Sequence, residues 1–392
     1  MNVTFLAEKL DRSGGSSFSL DLMARELADR NHSVRILTTN IFHENDVPDN
    51  TRYDVVSQVT ESSSRYDGFL KIKQVLDRYE AGTDVYHVFN PQYLPIAGLY
   101  RKNGSVPTVG RLNSYSAFCT NPGRMTGECY KNCSLADKIR HDDREPAQKV
   151  ARAPQYAYQH VAPRFMNHLD RLFALSPGVK QVYAHNHVNS DLIDVVPNFY
   201  DPTFTTQPKT ECDILSDEFT ILYVGRLRAA KGVDLLVDAA RQLDMSNIAI
   251  NIVGGGPMRE ELGAKTERHN LGASIRFHGW IDQLHLPKYY EQSDVFVHPG
   301  RWPEPFGRTI LEALQHDCPP IVSNIGAPPW IIGDAGEKFK PEDSTALTNK
   351  IEKVQTGSKI SLYTNKCGSR LKTFDPTRVV PTIESKYNQL NY

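Results

Sequence analysis

The chain opens twice in the same way, and that repetition limits what it can fold into. Val3 to Ala7 is a short apolar run broken by Ser13-Gly14-Gly15-Ser16-Ser17. Phe18, Leu22, Met23, Leu27 and Ala28 then recur at helical spacing, and Val34, Ile36 and Leu37 begin a second strand. Roughly 215 residues further on the order returns, as a strand over Phe219 to Gly225, a helix over Val233 to Leu243 and a strand over Ile248 to Val253. The last strand runs into Gly254-Gly255-Gly256-Pro257. A strand, helix and strand in so few residues demands parallel pairing. Two such openings predict two doubly wound α/β domains.

Length agrees, because 392 residues correspond to two domains or at most three. The expected boundaries are 1–204 for the first domain and 205–375 for the second, with a linker near 198–212. A terminal helix over 376–392, opened by Asp375-Pro376, is expected to pack back on the first domain. With 45 Lys and Arg against 46 Asp and Glu, the chain lacks the basic excess of a duplex-binding protein. Hence no nucleic acid partner is expected. No apolar run is long enough to cross a bilayer, and residues 1–9 lack the pattern of a signal peptide. A cytoplasmic protein is the expectation.

Chemistry concentrates in Pro303-Glu304-Pro305-Phe306-Gly307-Arg308-Thr309-Ile310-Leu311-Glu312. Glu304 precedes a proline and belongs in a loop after a strand. Pro305 is expected to open a helix, which puts Glu312 two turns in, about 12 Å from Glu304 if all the intervening residues are helical. That is too far for two carboxylates flanking one glycosidic bond. It suits gripping two ends of a long ligand, with a helix N-terminus between them for a phosphate; an ordinary helix with one acidic residue near its start is the alternative. In the same domain Gly225-Arg226-Leu227-Arg228-Ala229-Ala230-Lys231-Gly232 hangs two cations from the carboxyl end of a strand, where open parallel sheets bind ligands. Two such cations can hold a diphosphate and stabilise it as it leaves.

Together these segments resemble the retaining glycosyltransferases of family 4, which have the GT-B fold: two facing Rossmann-like domains with an inter-domain cleft. The likeness runs over most of the chain. Gly14-Gly15 with the helix after it, Val196-Pro197-Asn198, Gly225-Arg226 with Lys231-Gly232, Val253 to Pro257, and the spacing of Glu304 and Glu312 all carry it. It implies transfer of a hexose from a UDP- or GDP-sugar to a hydroxyl of a glycan or lipid-linked acceptor. Neither cofactor nor metal is implied. Arg226 and Lys231 would bind the diphosphate, Glu304 the sugar hydroxyls and Glu312 the ribose. Gly254, Phe306, Gly307, Arg308 and Thr309 complete the donor site, and Gly15 lets the first loop approach the phosphates. A GT-B protein that binds nucleotide or sugar without transferring it is the second reading. An oxidoreductase is a third, against which Arg259 stands where GxGxxG needs its last glycine.

Three positions depart from the family pattern. Asn113 replaces a titratable pair on the acceptor side, Arg308 stands at a usually apolar position, and Trp330 replaces a common acidic residue. From Arg101 to Lys180 there are 13 Lys and Arg against 6 Asp and Glu, an excess of 7 that suits either an anionic membrane surface or a solvated face. Cys119, Cys129 and Cys133, with His141 nearby, allow a zinc site, a disulfide or plain thiols.

Overall fold

The computed structural model describes residues 1–10, 15–39, 52–57, 59, 67–119, 121, 125, 133–140, 142, 144–205, 213–217, 219–356 and 359–390. Gly14, Cys129 and His141 lie outside them. The chain divides into two units, one of Met1–Asn198 with Pro376–Tyr392 and one of Phe199–Asp375.

In the first unit, strands β1 (Asn2–Ala7), β2 (Ser33–Thr38), β3 (Asp54–Val56), β4 (Val85–Val88), β5 (Thr108–Leu112), β6 (Arg171–Ala174) and β7 (Ile193–Val195) form one sheet. Their order is β3-β2-β1-β4-β5-β6-β7, and every pairing is parallel. The helix after β1 is Gly15–Asp29, three residues longer at its start than the apolar spacing indicates. The terminal helix Pro376–Asn388 is part of this unit. Its Glu384 receives His32 at 2.9 Å and Arg30 at 3.3 Å, and Lys386 donates to Asp194 at 2.9 Å. Tyr387 is fully buried, with its hydroxyl 2.6 Å from His87 Nδ1. Arg111 of β5 is fully buried too, and its Nη2 donates to Pro197 O and Asn198 Oδ1 at 3.0 and 2.8 Å. Burial pulls its pKa down to about 9.

The second unit has strands β8 (Phe219–Val224), β9 (Ile248–Val253), β10 (Ile275–Gly279), β11 (Val295–His298), β12 (Pro320–Ser323) and β13 (Glu337–Phe339). All pair in parallel, in the order β10-β9-β8-β11-β12-β13. Every residue of β8, β9, β11 and β12 is buried. Helices cover both faces of such a sheet, so its strands read as unbroken apolar runs. Both sheets therefore have the expected doubly wound form, each with a reversal of strand order, between β1 and β4 in one and between β8 and β11 in the other.

At the second reversal the connecting loops touch backbone to backbone. Gly232 has φ +65°, and a Cβ there would lie 2.0 Å from Pro299 O. Gly254 has φ +129°, with Gly225 O at 1.9 Å from the same notional atom. Only glycine combines that dihedral with that approach. Gly255, by contrast, has open space around its Cβ position. Gly254→Ala is therefore expected to destabilise the second unit by about 3 kcal/mol, and Gly255→Ala by less than about 0.5 kcal/mol. Thermal melts of the two variants beside the parent chain check the contrast.

Candidate active site in the second domain

The loop after β8 and the loop after β11 meet at the switch point, where ligands of open α/β sheets bind. Lys231 comes from the first, in a single 3-10 turn, Ala229–Lys231, ended by left-handed Gly232. Glu304 comes from the second. The Lys231 ammonium donates to both Glu304 oxygens, at 2.6 Å to Oε1 and 2.7 Å to Oε2. His298, the last residue of β11 and buried, brings its Nε2 to 3.3 Å from Oε2. The Lys231 cation lies over the Trp302 ring, with Nζ 5.8 Å from its centroid.

Backbone contacts fix Glu304 in turn. Ala327 N donates to Glu304 O at 2.9 Å. Gly326 has φ +71°, and its notional Cβ would fall 2.5 Å from Glu304 N, so the loop after β12 closes tightly on this residue. The Glu304 side chain is 14% exposed. Burial by itself raises a carboxyl pKa, but Lys231 and then His298 outweigh it and hold Glu304 well below the usual carboxylate range.

Arg226 is exposed on the β8 loop, where the Tyr223 hydroxyl donates to its carbonyl at 3.1 Å. Across this loop, Leu227 N donates to Gly255 O at 2.9 Å and Gly225 N to Val253 O at 3.0 Å, which joins Gly254 and its neighbours to the site. Phe306 is buried edge-on to Phe374 at 5.8 Å, so its backbone and not its ring is left for a ligand.

The helix after Glu304 differs from expectation. It runs Arg308–Gln315, and Pro305 does not open it. Gly307, at φ +125°, cannot be helical and stands at the cap, so Glu304 to Gly307 are loop. Glu312 is consequently one turn in, not two, and the 12 Å helical separation does not apply. Ile310, Leu311 and Leu314 are buried as their spacing indicates, and Glu312 is buried with them at 8% exposure. It accepts from the Tyr290 hydroxyl at 2.9 Å. Burial raises its pKa, with Arg308 and Tyr290 partly offsetting. Burial likewise lowers that of Arg308, against Glu312 and Asp201. Arg308 and Thr309 are half-buried at the helix start.

Trp330 has a packing role. It stands edge-on to Phe374 at 5.5 Å, and the Arg370 guanidinium lies 5.7 Å from its ring centroid. In the first unit, Asn113 follows β5 and its Nδ2 donates to Ser16 Oγ at 3.0 Å and Phe89 O at 2.7 Å. It thereby joins the loops after β4 and β5 to the start of the helix Gly15–Asp29, of which Gly15 is the first residue. Cys119 and Cys133 are half-buried. Sequence reading missed His298, Trp302 and Tyr290. For His298 a signal exists: a polar residue closing an apolar strand, directly before Pro299-Gly300.

The ion pair gives Glu304 a definite pH signature. Its depressed folded pKa means that the stabilisation is complete above the unfolded carboxyl value of about 4.3 and fades as pH falls below it. Glu304→Gln is expected to cost about 2 kcal/mol at pH 7, with the gap to the parent chain narrowing below about pH 4. Urea unfolding across that range measures it.

Residues 13–204 match the family model Glycosyltransferase Family 4, and residues 209–368 match that of Glycosyl transferases group 1. An uncharacterized 41.2 kDa protein from the cps region of Klebsiella pneumoniae is 30% identical over 158 residues, which is 40% of this chain and 41% of that protein. The 2-deoxystreptamine N-acetyl-D-glucosaminyltransferase of Niallia circulans is 26% identical over 194 residues, 48% of this chain and 49% of that one. The matches therefore span less than half the length of these curated relatives. Among solved structures, that of Anabaena HepE in complex with UDP and glucose superposes with a TM-score of 0.76 over 99% of this chain and all of that chain, at 16% identity. That likeness is one of fold. With the two family models covering nearly all of residues 13–368, and the parallel sheets matching in architecture, the chain belongs to the family 4 glycosyltransferases of GT-B fold.

Proposed function

We propose that this chain is a retaining hexosyltransferase that moves a sugar from a UDP- or GDP-sugar to a hydroxyl of a glycan or lipid-linked acceptor, on the cytoplasmic side. The observation that carries the reading is a mostly buried carboxylate held ionised between Lys231 and His298 at a sheet switch point, with Arg226 on the adjoining loop. A fixed acceptor of this kind suits sugar hydroxyls, and flexible cations beside it suit phosphate. The name of the Niallia relative, a sugar transferase, and the UDP and glucose held by the Anabaena protein support the same assignment.

In this reading Arg226 and Lys231 bind the diphosphate and offset the charge that grows on it as the bond to the anomeric carbon breaks. Glu304 orients the sugar. The backbone of Gly254, Phe306 and Gly307 lies against sugar or phosphate, Arg308 and Thr309 stand beside them, and Glu312 takes the ribose. The acceptor oxygen attacks from the face that the diphosphate leaves, and its proton passes to a departing phosphate oxygen, so configuration is retained. On the acceptor side, Asn113 and Gly15 supply hydrogen bonding and close approach; Asn113 exchanges no proton near neutrality. Positive charge from Arg226, Lys231 and Arg308 leads us to propose turnover without a metal. Leu135, Ile139 and Val150 are exposed on short helices that also carry Arg140 and Lys149, which supports an acceptor drawn from an anionic lipid surface.

Arg226→Ala is expected to weaken donor binding about tenfold, read by calorimetry with UDP- and GDP-sugars. Unchanged affinity and turnover in that variant contradict the phosphate assignment. Nucleotide release in the presence of acceptor should persist in excess EDTA, and its collapse there would show a metal requirement.

A further inference from the structure

We propose that Lys231 and Glu304 form an exchange pair through which the site prefers a sugar-bearing diphosphate to a bare one; this rests on the donor reading above. The two halves of that reading compete for one ammonium. Lys231 Nζ spans both oxygens of Glu304, and a diphosphate bound by Lys231 must draw it away. Glu304 cannot follow, because Gly326 and Ala327 close on its backbone. Lys231, on a flexible four-carbon stem, can.

The oxygens of Glu304 are not equivalent. Oε2 faces both Lys231 and His298, whereas Oε1 faces Lys231 alone among the described residues. When Lys231 turns to phosphate, His298 still steadies Oε2 and Oε1 loses its donor. A buried carboxylate stripped of a partner is costly. A sugar hydroxyl donating to Oε1 offsets that cost, and a nucleoside diphosphate without sugar has nothing to offer it. The preference therefore comes from a pair that a sugar-bearing ligand replaces completely and a bare diphosphate replaces by half. It has a kinetic corollary. Once the sugar has left with the acceptor, Glu304 takes Lys231 back and the remaining diphosphate is held less tightly.

The test is calorimetric titration of UDP, GDP and a panel of their glucose, mannose and N-acetylglucosamine conjugates into the parent chain and Glu304→Gln. In the parent chain the preferred nucleotide sugar should bind more tightly than its own diphosphate. Glu304→Gln frees Lys231, so the bare diphosphate should bind about tenfold more tightly while the nucleotide sugar gains nothing or weakens, and the ratio collapses. Equal tightening of both ligands would mean simple loss of charge repulsion and would overturn the exchange, as would a diphosphate affinity that does not rise. Glu304→Asp, which withdraws the carboxylate by one methylene, should shift the ratio in the same direction and serves if the Gln variant does not fold. Failure of the parent chain to bind UDP, GDP or any of their sugars defeats the donor reading itself. Binding with an unmoved ratio defeats only the exchange.

Discussion

Close approach of backbone to backbone, at a few glycines, sets the geometry on which the rest of the second unit depends. Gly232 against Pro299, Gly254 against Gly225 and Gly326 against Glu304 each put chain where a side chain would otherwise hold the loops apart. The sheet beneath them supplies direction, because parallel strands deliver all their outgoing loops at one edge. The glycines supply distance. Without them Lys231 and Glu304 would stand at the same edge without meeting.

Their meeting explains the electrostatics of the site. A carboxylate with only 14% of its side chain exposed would ordinarily protonate more readily. Here a cation contacting both oxygens and a buried imidazole reverse that tendency. Glu312, still shorter of water and accepting from a tyrosine hydroxyl, is pushed the other way. The two glutamates of one motif thus differ in charge behaviour for a reason visible in their partners. One has a cation in contact with both oxygens, whereas the burial of the other is offset only in part, by Arg308 first and the Tyr290 hydroxyl second.

The fold was legible because burial on both faces leaves unmistakable apolar runs, and strands over Ile248–Val253 and Pro320–Ser323 end where the residues suggest. The helix after Glu304 was misplaced because Pro305 looks like a first-turn residue, whereas the dihedral of Gly307 delays the helix to Arg308. Periodicity reports which face of a helix is apolar, not where a glycine will interrupt it. Arg226, Lys231 and Glu304 could be named from their loops. His298 was less legible: its place at the end of an apolar strand, before Pro299-Gly300, sets it apart, but only the folded loop shows that it faces the carboxylate 6 residues on. The burial of Arg111 in β5 was not legible either, because its partners Pro197 and Asn198 lie far along the chain.

The helix Pro376–Asn388 carries a consequence for how the protein is made. Synthesis finishes the seven strands of the first unit early, yet Tyr387, which sits against His87 at the heart of that unit, emerges only after the whole of the second. At about 5 to 20 residues per second, the roughly 180 intervening residues take on the order of ten to forty seconds. For that interval the first unit waits on the ribosome with an apolar face unfilled. A segment translated after the second unit completes the first, so the two units are tied in time as well as in chain.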